Sequence, residues 1–307
     1  MLGYITDPTA PGGLDRRDLP APEPTPHQAV IEVAAYAVNR GELALLAQRA
    51  SGWTPGQDLA GVVLAAAADG TGPAVGERVV GMADWGGWSE RVAVPTHRIA
   101  PLPASVTFPQ AAALPVAGLT ALRALRTGGP LLGRRVLVTG ASGGVGSFAV
   151  QLALAAGAAV TAQVSGPSRI EQARALGADG VVTEIGEDSG PFDLVLDGVG
   201  GSVLVDAIHR LAVGGRVTAY GLAGGERSQL AFSDFREATP GATLQGFFVY
   251  RTGEETFGED LAILARMVAD GRLHPLLGVV REWSHTVEAV DALRSRQATG
   301  KVVLTLR

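Results

Sequence analysis

Residues 134–179 constrain this chain more than any other stretch; they read RRVLVTGASGGVGSFAVQLALAAGAAVTAQVSGPSRIEQARALGAD. An apolar run at 136–138 leads into a glycine turn and an amphipathic helix, and a second apolar run at 159–164 leads into another helix. This is a βαβα unit. Ala141, Gly143 and Gly146 fall on the GxGxxG spacing, with alanine in the first place. In that geometry backbone approaches a pyrophosphate, whose charge rests on the N–H groups and dipole of the following helix. Glycine makes up 42 of 307 residues, so such a hexamer alone is a weak signal. Its place between a strand and a helix is what makes it specific for a dinucleotide.

No charged residue occurs between Val136 and Ser168, a span long enough to resemble a membrane helix. Glycines at 140, 143, 144, 146 and 157 interrupt it at turn positions. Strands of a parallel sheet covered on both faces are continuously apolar, so no membrane partner is expected. The absence of cysteine removes disulfides, thiolate nucleophiles and the cysteine ligands of a structural zinc. Net charge is −5, Lys301 is the one lysine among 25 basic residues, and the arginines are scattered. A nucleic-acid partner is therefore not expected. The first residues show neither a basic nor an apolar leader region, which predicts a cytoplasmic protein.

Residues 1–30 are rich in Pro and Gly and carry little periodicity. Strands are expected at 29–38, 61–67, 75–81 and 90–94, with a short helix at 42–48. Short strands with a turn every ten or so residues indicate an antiparallel, barrel-like first domain. After the proline-punctuated segment 101–115 a helix is expected at 116–125. Beyond the βαβα unit the pattern predicts strands at 180–183, 192–197, 215–220 and 243–250, with a helix at 202–211. Strands alternating with helices make a doubly wound parallel sheet. A helix at 257–270 capped by Gly271, a helix at 287–294 and a strand at 301–306 close the chain, the strand returning to the first domain. The expected fold class is α/β, with a Rossmann sheet inserted in a β-barrel domain and limits at 1–115, 116–250 and 251–307.

Several words recur in one order: Val38-Asn39, PGQDLAGVV (55–63), VGERVVG (75–81), GGWSERVAVP (86–95), AALPVAGLTAL (112–122), VTGASGGVGSFAVQLA (138–153), ALGAD (175–179), LDGVGG (196–201) and GKVVLTL (300–306). Together they resemble the zinc-independent quinone oxidoreductases, the zeta-crystallin-like branch of the medium-chain dehydrogenase/reductase superfamily. The resemblance implies a GroES-like catalytic domain built from both chain ends, a Rossmann domain between them, and a homodimer.

Zinc-dependent relatives hold metal with Cys and His. This chain offers His27, His97, His209, His274 and His285, none paired at ligand spacing, and has Gln57-Asp58 where the zinc enzymes carry His-Glu. No metal is expected. An NAD-binding Rossmann unit carries an acid about 20 residues past the glycines. Here that strand ends Gln163-Val164-Ser165, and the first acid, Glu171, lies in the next helix. Without that carboxylate a 2′-phosphate is not repelled. Ser165 and Arg169 supply a hydroxyl and a cation beside it, so NADPH is the expected cofactor. Arg169 also matches a lysine that family members often use there, although it equally suits a solvated helix start.

The cofactor-binding residues expected from the glycine turns are Gly143, Gly144, Val145 and Gly146, with Gly198 and Val199 in the second turn. For the nicotinamide end the resemblance implies Asn39, Thr120, Gly221, Leu222, Phe248, Val249 and Lys301. Phe248 would serve equally as core, Thr120 as a helix residue and Lys301 as a solvated strand start. Asn39 is the single catalytic candidate: a polar side chain after a buried strand needs a partner, and a cofactor or substrate oxygen would serve, although asparagine is common at turns. The tyrosine some relatives carry a few residues further on is absent from ELALLAQRASGW (42–53), and no proton donor is assigned.

Thr139, Gly140, Gly144 and Gly146 also fit the TGxxxGxG turn of short-chain dehydrogenases. Those enzymes need Tyr and Lys four apart, and residue 297, four before Lys301, is Gln. The expected activity is metal-free hydride transfer from NADPH to a small electrophile, a quinone or α,β-unsaturated carbonyl. An enoyl-thioester reductase of the same fold and a non-catalytic NADPH-binding or redox-sensing protein are the alternatives.

Overall fold

The computed structural model describes residues 1–237 and 240–306. The chain divides into two bodies, Met1–Leu119 together with the chain from Gly253 onward, and Thr120–Thr252. The divisions fall at 119/120, inside the helix Pro115–Arg126, and at 252/253.

The first body is built on the strand Gln28–Val38, in which every residue from Ala29 to Val38 except Glu32 is buried. A buried strand must also pair its backbone N–H and C=O groups along its edges, and three others bond it antiparallel: Lys301–Thr305, Asp58–Ala65 and Arg91–Pro95. The sheet continues through Arg78–Met82 to Ile99–Pro101 on one side and through Leu277–Glu282 on the other. Its core stacks Tyr36 on Trp88, ring centroids 5.8 Å apart. Side chains of this size each contribute roughly 1.5–3 kcal/mol when buried. The quiet N-terminal segment holds an antiparallel pair, Leu2–Thr6 with Leu14–Asp18, that sequence pattern did not predict. It depends on distant partners: the Tyr4 N–H donates to the Trp88 carbonyl at 2.9 Å, and the Tyr4 hydroxyl to the Trp283 carbonyl at 2.9 Å.

The second body carries a six-stranded sheet, all parallel, in the order Gly180–Val182, Ala159–Gln163, Arg135–Val138, Phe192–Asp197, Leu211–Ala219, Thr243–Gly246. The helix expected at 202–211 ends earlier, spanning Gly201–His209, because the Phe192 N–H takes the Arg210 carbonyl at 2.7 Å and draws Leu211 into the sheet. The strand expected at 243–250 stops at Gly246. One more bond, Phe247 N–H to the Ala219 carbonyl at 2.8 Å, holds the chain to the sheet before it closes into a 3-10 turn at Val249–Arg251. Among the described residues no helix is long and apolar enough to cross a membrane.

Candidate functional site: a glycine cradle and a buried Asn39–Asp58–Lys301 cluster

In the second body the central strand Arg135–Val138 ends in the turn 139–143, and the helix Gly144–Ala155 starts from Gly143 as its N-cap. A Cβ at Gly146 would be driven into the Gly140 carbonyl oxygen, so this position accepts only glycine while the turn keeps its shape. The first N–H groups of a helix have no partner within it, which is what a pyrophosphate at such a turn requires. Two residues that sequence reasoning did not single out hold this cradle. Gln163 accepts the Gly140 N–H on its side chain at 3.1 Å and the Ala141 N–H on its carbonyl at 2.9 Å. Asp197, fully buried, accepts from the Thr139 hydroxyl at 2.6 Å and from the Gly200 N–H at 3.0 Å. Burial pushes its carboxyl above the ordinary range. Asp197 thus joins the glycine turn to the second turn, where Gly198 and Val199 lie.

Gly198 and Gly221 meet closely: the Gly198 carbonyl accepts the Ala223 N–H at 2.9 Å, and a side chain at Gly198 would strike the Tyr220 ring. Leu222 stands 53% exposed beside this turn. Phe248 is 59% exposed and lies 4.7 Å from the Tyr250 ring, whereas Val249 is buried. Thr120 is buried on the helix Pro115–Arg126. One turn further on, Arg123 donates to the Thr252 carbonyl at 2.6 Å, tying that helix to the Val249–Arg251 turn. Arg169 is half-buried and donates to the hydroxyl of Ser142, inside the glycine turn, at 3.1 Å; Ser165 is exposed nearby in sequence. A cavity of about 270 Å³ at the opposite, N-terminal ends of the parallel strands, lined by Thr127, Arg134, Asp193 and Arg216 among others, holds none of these residues.

In the first body Asn39 and Lys301, predicted separately, are in contact. Lys301 Nζ donates to Asn39 Oδ1 at 2.6 Å and to Asp58 Oδ2 at 2.8 Å, and Asn39 Nδ2 donates to the same Asp58 oxygen at 2.9 Å. The other oxygen, Asp58 Oδ1, accepts the Val116 N–H at 2.8 Å. Lys301 is 3% exposed and Asp58 0%. A fourth member is Glu42, in the first turn of the helix Arg40–Gln48, whose carboxyl accepts the N–H groups of Asn39 at 2.7 Å and Gln57 at 3.1 Å. Burial, with the Asp58 charge next in weight, pushes the Glu42 carboxyl up to about 8. Asn39 is the partly exposed edge of this otherwise buried group. Sequence reasoning noted Asp58 only as the substitute for a zinc ligand and missed Glu42. The available signal was Glu42 three residues after an N-capping asparagine, the spacing of a capping box.

The fold is α/β, a parallel Rossmann-like sheet joined to a GroES-like domain. The chain belongs to the medium-chain dehydrogenase/reductase superfamily and is quinone oxidoreductase-like. Residues 25–104 match the family described as alcohol dehydrogenase GroES-like domain, and residues 144–266 match that described as zinc-binding dehydrogenase. The quinone oxidoreductase of Sus scrofa is 28% identical, covering 94% of this chain and 92% of that protein. The spectinabilin polyketide synthase system protein NorB of Streptomyces orinoci is 35% identical over 92% of this chain, which spans 13% of that much longer protein. A mycobacterial protein solved in complex with NADPH superposes with a TM-score of 0.88 at 26% identity, covering 99% of this chain and 100% of that one.

Proposed function

We propose that this chain is an NADPH-dependent reductase of quinones or α,β-unsaturated carbonyls that works without metal. The observation that carries the reading is the Lys301–Asp58 contact. Asp58 belongs to the Gln57-Asp58 pair that replaces the His-Glu of zinc-dependent relatives, and here its carboxylate is committed to an ammonium, an amide and a backbone N–H. Among the described residues no three His, Asp or Glu side chains gather to hold a metal ion. Alcohol oxidation, which needs a metal or base for the hydroxyl proton, is correspondingly disfavoured.

The glycine cradle fits NADPH: Gly143–Gly146 offers the helix N-terminus to the pyrophosphate, and Arg169 with Ser165 offers a cation and a hydroxyl to the 2′-phosphate. When bound, NADPH supplies the hydride. The chain's own contribution to the reacting end is Asn39. Its oxygen is held by Lys301 and one Nδ2 hydrogen by Asp58, so the amide cannot flip, and the second Nδ2 hydrogen remains for a carbonyl oxygen. A fixed donor at an oxygen gaining charge stabilises the transition state more than the ground state. The NADPH-bound neighbour supports the cofactor, and the match to a polyketide synthase supports enoyl thioesters as a second acceptor class.

NADPH oxidation followed at constant enzyme with 9,10-phenanthrenequinone, a simple enone and a simple alcohol with NADP⁺ tests this. Turnover of the first two, undiminished after overnight chelation, is expected, and Asn39→Ala should lower it ~10- to 100-fold, the loss of one to three kcal/mol at the transition state. Oxidation of the alcohol with neither quinone nor enone turned over overturns the reading. Homodimerisation is proposed with it, and light scattering should give twice the 31.4 kDa chain mass.

A further inference from the structure

We propose that Arg49, Trp53 and Trp85 form a binding platform for the phosphate-bearing end of a pantetheine thioester, so that the acceptor's carrier arm lies along the helix Arg40–Gln48 with its acyl end at Asn39. This rests on the reading above that the acceptor is an α,β-unsaturated carbonyl. The Arg49 guanidinium sits over both indoles, 5.6 Å from the Trp53 ring centroid and 5.9 Å from that of Trp85. The two rings meet edge to face at 4.9 Å. Among the described residues that guanidinium makes no hydrogen bond and no ion pair, so its N–H donors are open while its carbon lies over the two indoles. Asp84, the acid adjacent to Trp85, is committed to Arg98 at 2.6 Å and does not neutralise it.

The loops that carry the two indoles are held by backbone hydrogen bonds. The Trp53 N–H donates to the Thr6 hydroxyl at 3.0 Å, the Thr6 N–H to the Trp53 carbonyl at 2.8 Å, and the Gly86 N–H to the Pro55 carbonyl at 3.1 Å, so both indoles sit on pinned loops. A planar cation with open donors on an aromatic shelf is matched to phosphate, which takes two of its N–H groups side by side. Spacing selects the ligand. Asn39 caps one end of the helix and Arg49 the other, ten residues apart, about 15 Å. A pantetheine arm, with two amides and short alkyl links, is as long as four or five extended residues, also about 15 Å. A quinone has neither the length nor the charge to use this patch.

Calorimetric titration of the full chain, saturated with NADP⁺ to fill the dinucleotide site, separates the possibilities. Coenzyme A should bind more tightly than phosphate-free pantetheine, and Arg49→Gln should weaken coenzyme A about tenfold and abolish that difference. In wild-type protein the advantage of coenzyme A should shrink in high salt. A phosphopantetheinylated carrier domain, titrated in parallel, shows by its own dependence on Arg49 whether the phosphate belongs to a nucleotide or to a protein-borne arm. In turnover, the ratio of KM for 2-butenoyl-coenzyme A to that for the N-acetylcysteamine thioester should rise about tenfold in Arg49→Gln, with kcat for the pair moving together. Coenzyme A binding no better than pantetheine, or equal binding by wild type and variant, overturns the platform. Arg49-dependent binding without reduction of either thioester leaves the platform standing and overturns the redox reading instead.

Discussion

Lys301 Nζ lies 2.8 Å from Asp58 Oδ2, and both side chains are buried. The chain's one lysine is thus spent on a carboxylate 243 positions earlier in sequence, closing its last strand onto its first sheet. Neither charge has water to fall back on. Lys301→Met should destabilise the fold by about 3–5 kcal/mol because it strands the Asp58 charge, whereas the double variant Lys301→Met with Asp58→Asn should recover part of that loss. Denaturant unfolding of the three variants checks it; additive losses would mean the two groups do not act as a pair.

Glu42 gives the same cluster a pH dependence. Its folded pKa, about 8, stands above the ordinary 4.5. As pH rises the unfolded chain loses this proton first, so this group's contribution to stability falls between about pH 4.5 and 8 and is level outside that window. Glu42→Gln, which still accepts one N–H, should flatten the decline. Urea midpoints for wild type and variant across that window are the measurement, and parallel curves would exclude Glu42 as the source.

At the cradle, Gly146→Ala should abolish dinucleotide binding while leaving the first body's sheet intact. The added methyl meets the Gly140 carbonyl, which itself accepts the Gly143 N–H at 2.9 Å, so the turn must open to admit it. Fluorescence titration with NADPH, beside a circular dichroism spectrum, tests it; wild-type affinity in Gly146→Ala would show that the turn yields.

The parallel sheet was legible because its strands announce themselves locally: 136–138 is wholly apolar, 159–163 carries no charge, 192–197 centres on the apolar run Leu194–Leu196, and each is followed within three residues by glycine. The cradle glycines were legible for the same reason. What sequence could not show was pairing over distance. Asn39, Asp58 and Lys301 each have an ordinary local account, as a helix cap, a strand start and a strand start. Only the antiparallel register of Val302 on Val38 and of Asp58 on Ala37 brings them together. The hairpin Leu2–Thr6 with Leu14–Asp18 escaped likewise, since its apolar residues answer Trp88 and Trp283 and no local repeat.

The proposed preference for NADPH rests on Arg169, whose contact with Ser142 supplies a control. Its guanidinium donates to the Ser142 hydroxyl at 3.1 Å, so the arginine tethers the glycine turn from the 3-10 turn Pro167–Arg169, which follows the strand Ala159–Gln163 at whose end an NAD-binding protein would place a carboxylate. If Arg169 meets the 2′-phosphate, Arg169→Ala should weaken NADPH binding by roughly 1.5–3 kcal/mol and leave NADH nearly unchanged. If it serves only to steady the turn, both cofactors should lose alike. Ser142→Ala should then reproduce the Arg169→Ala losses, because it removes the same tether without removing the cation. Titrating both cofactors against wild type and the two variants separates the roles. Loss confined to NADPH in Arg169→Ala, with Ser142→Ala close to wild type, is the expected result, and equal losses for NADPH and NADH would remove the argument for NADPH preference.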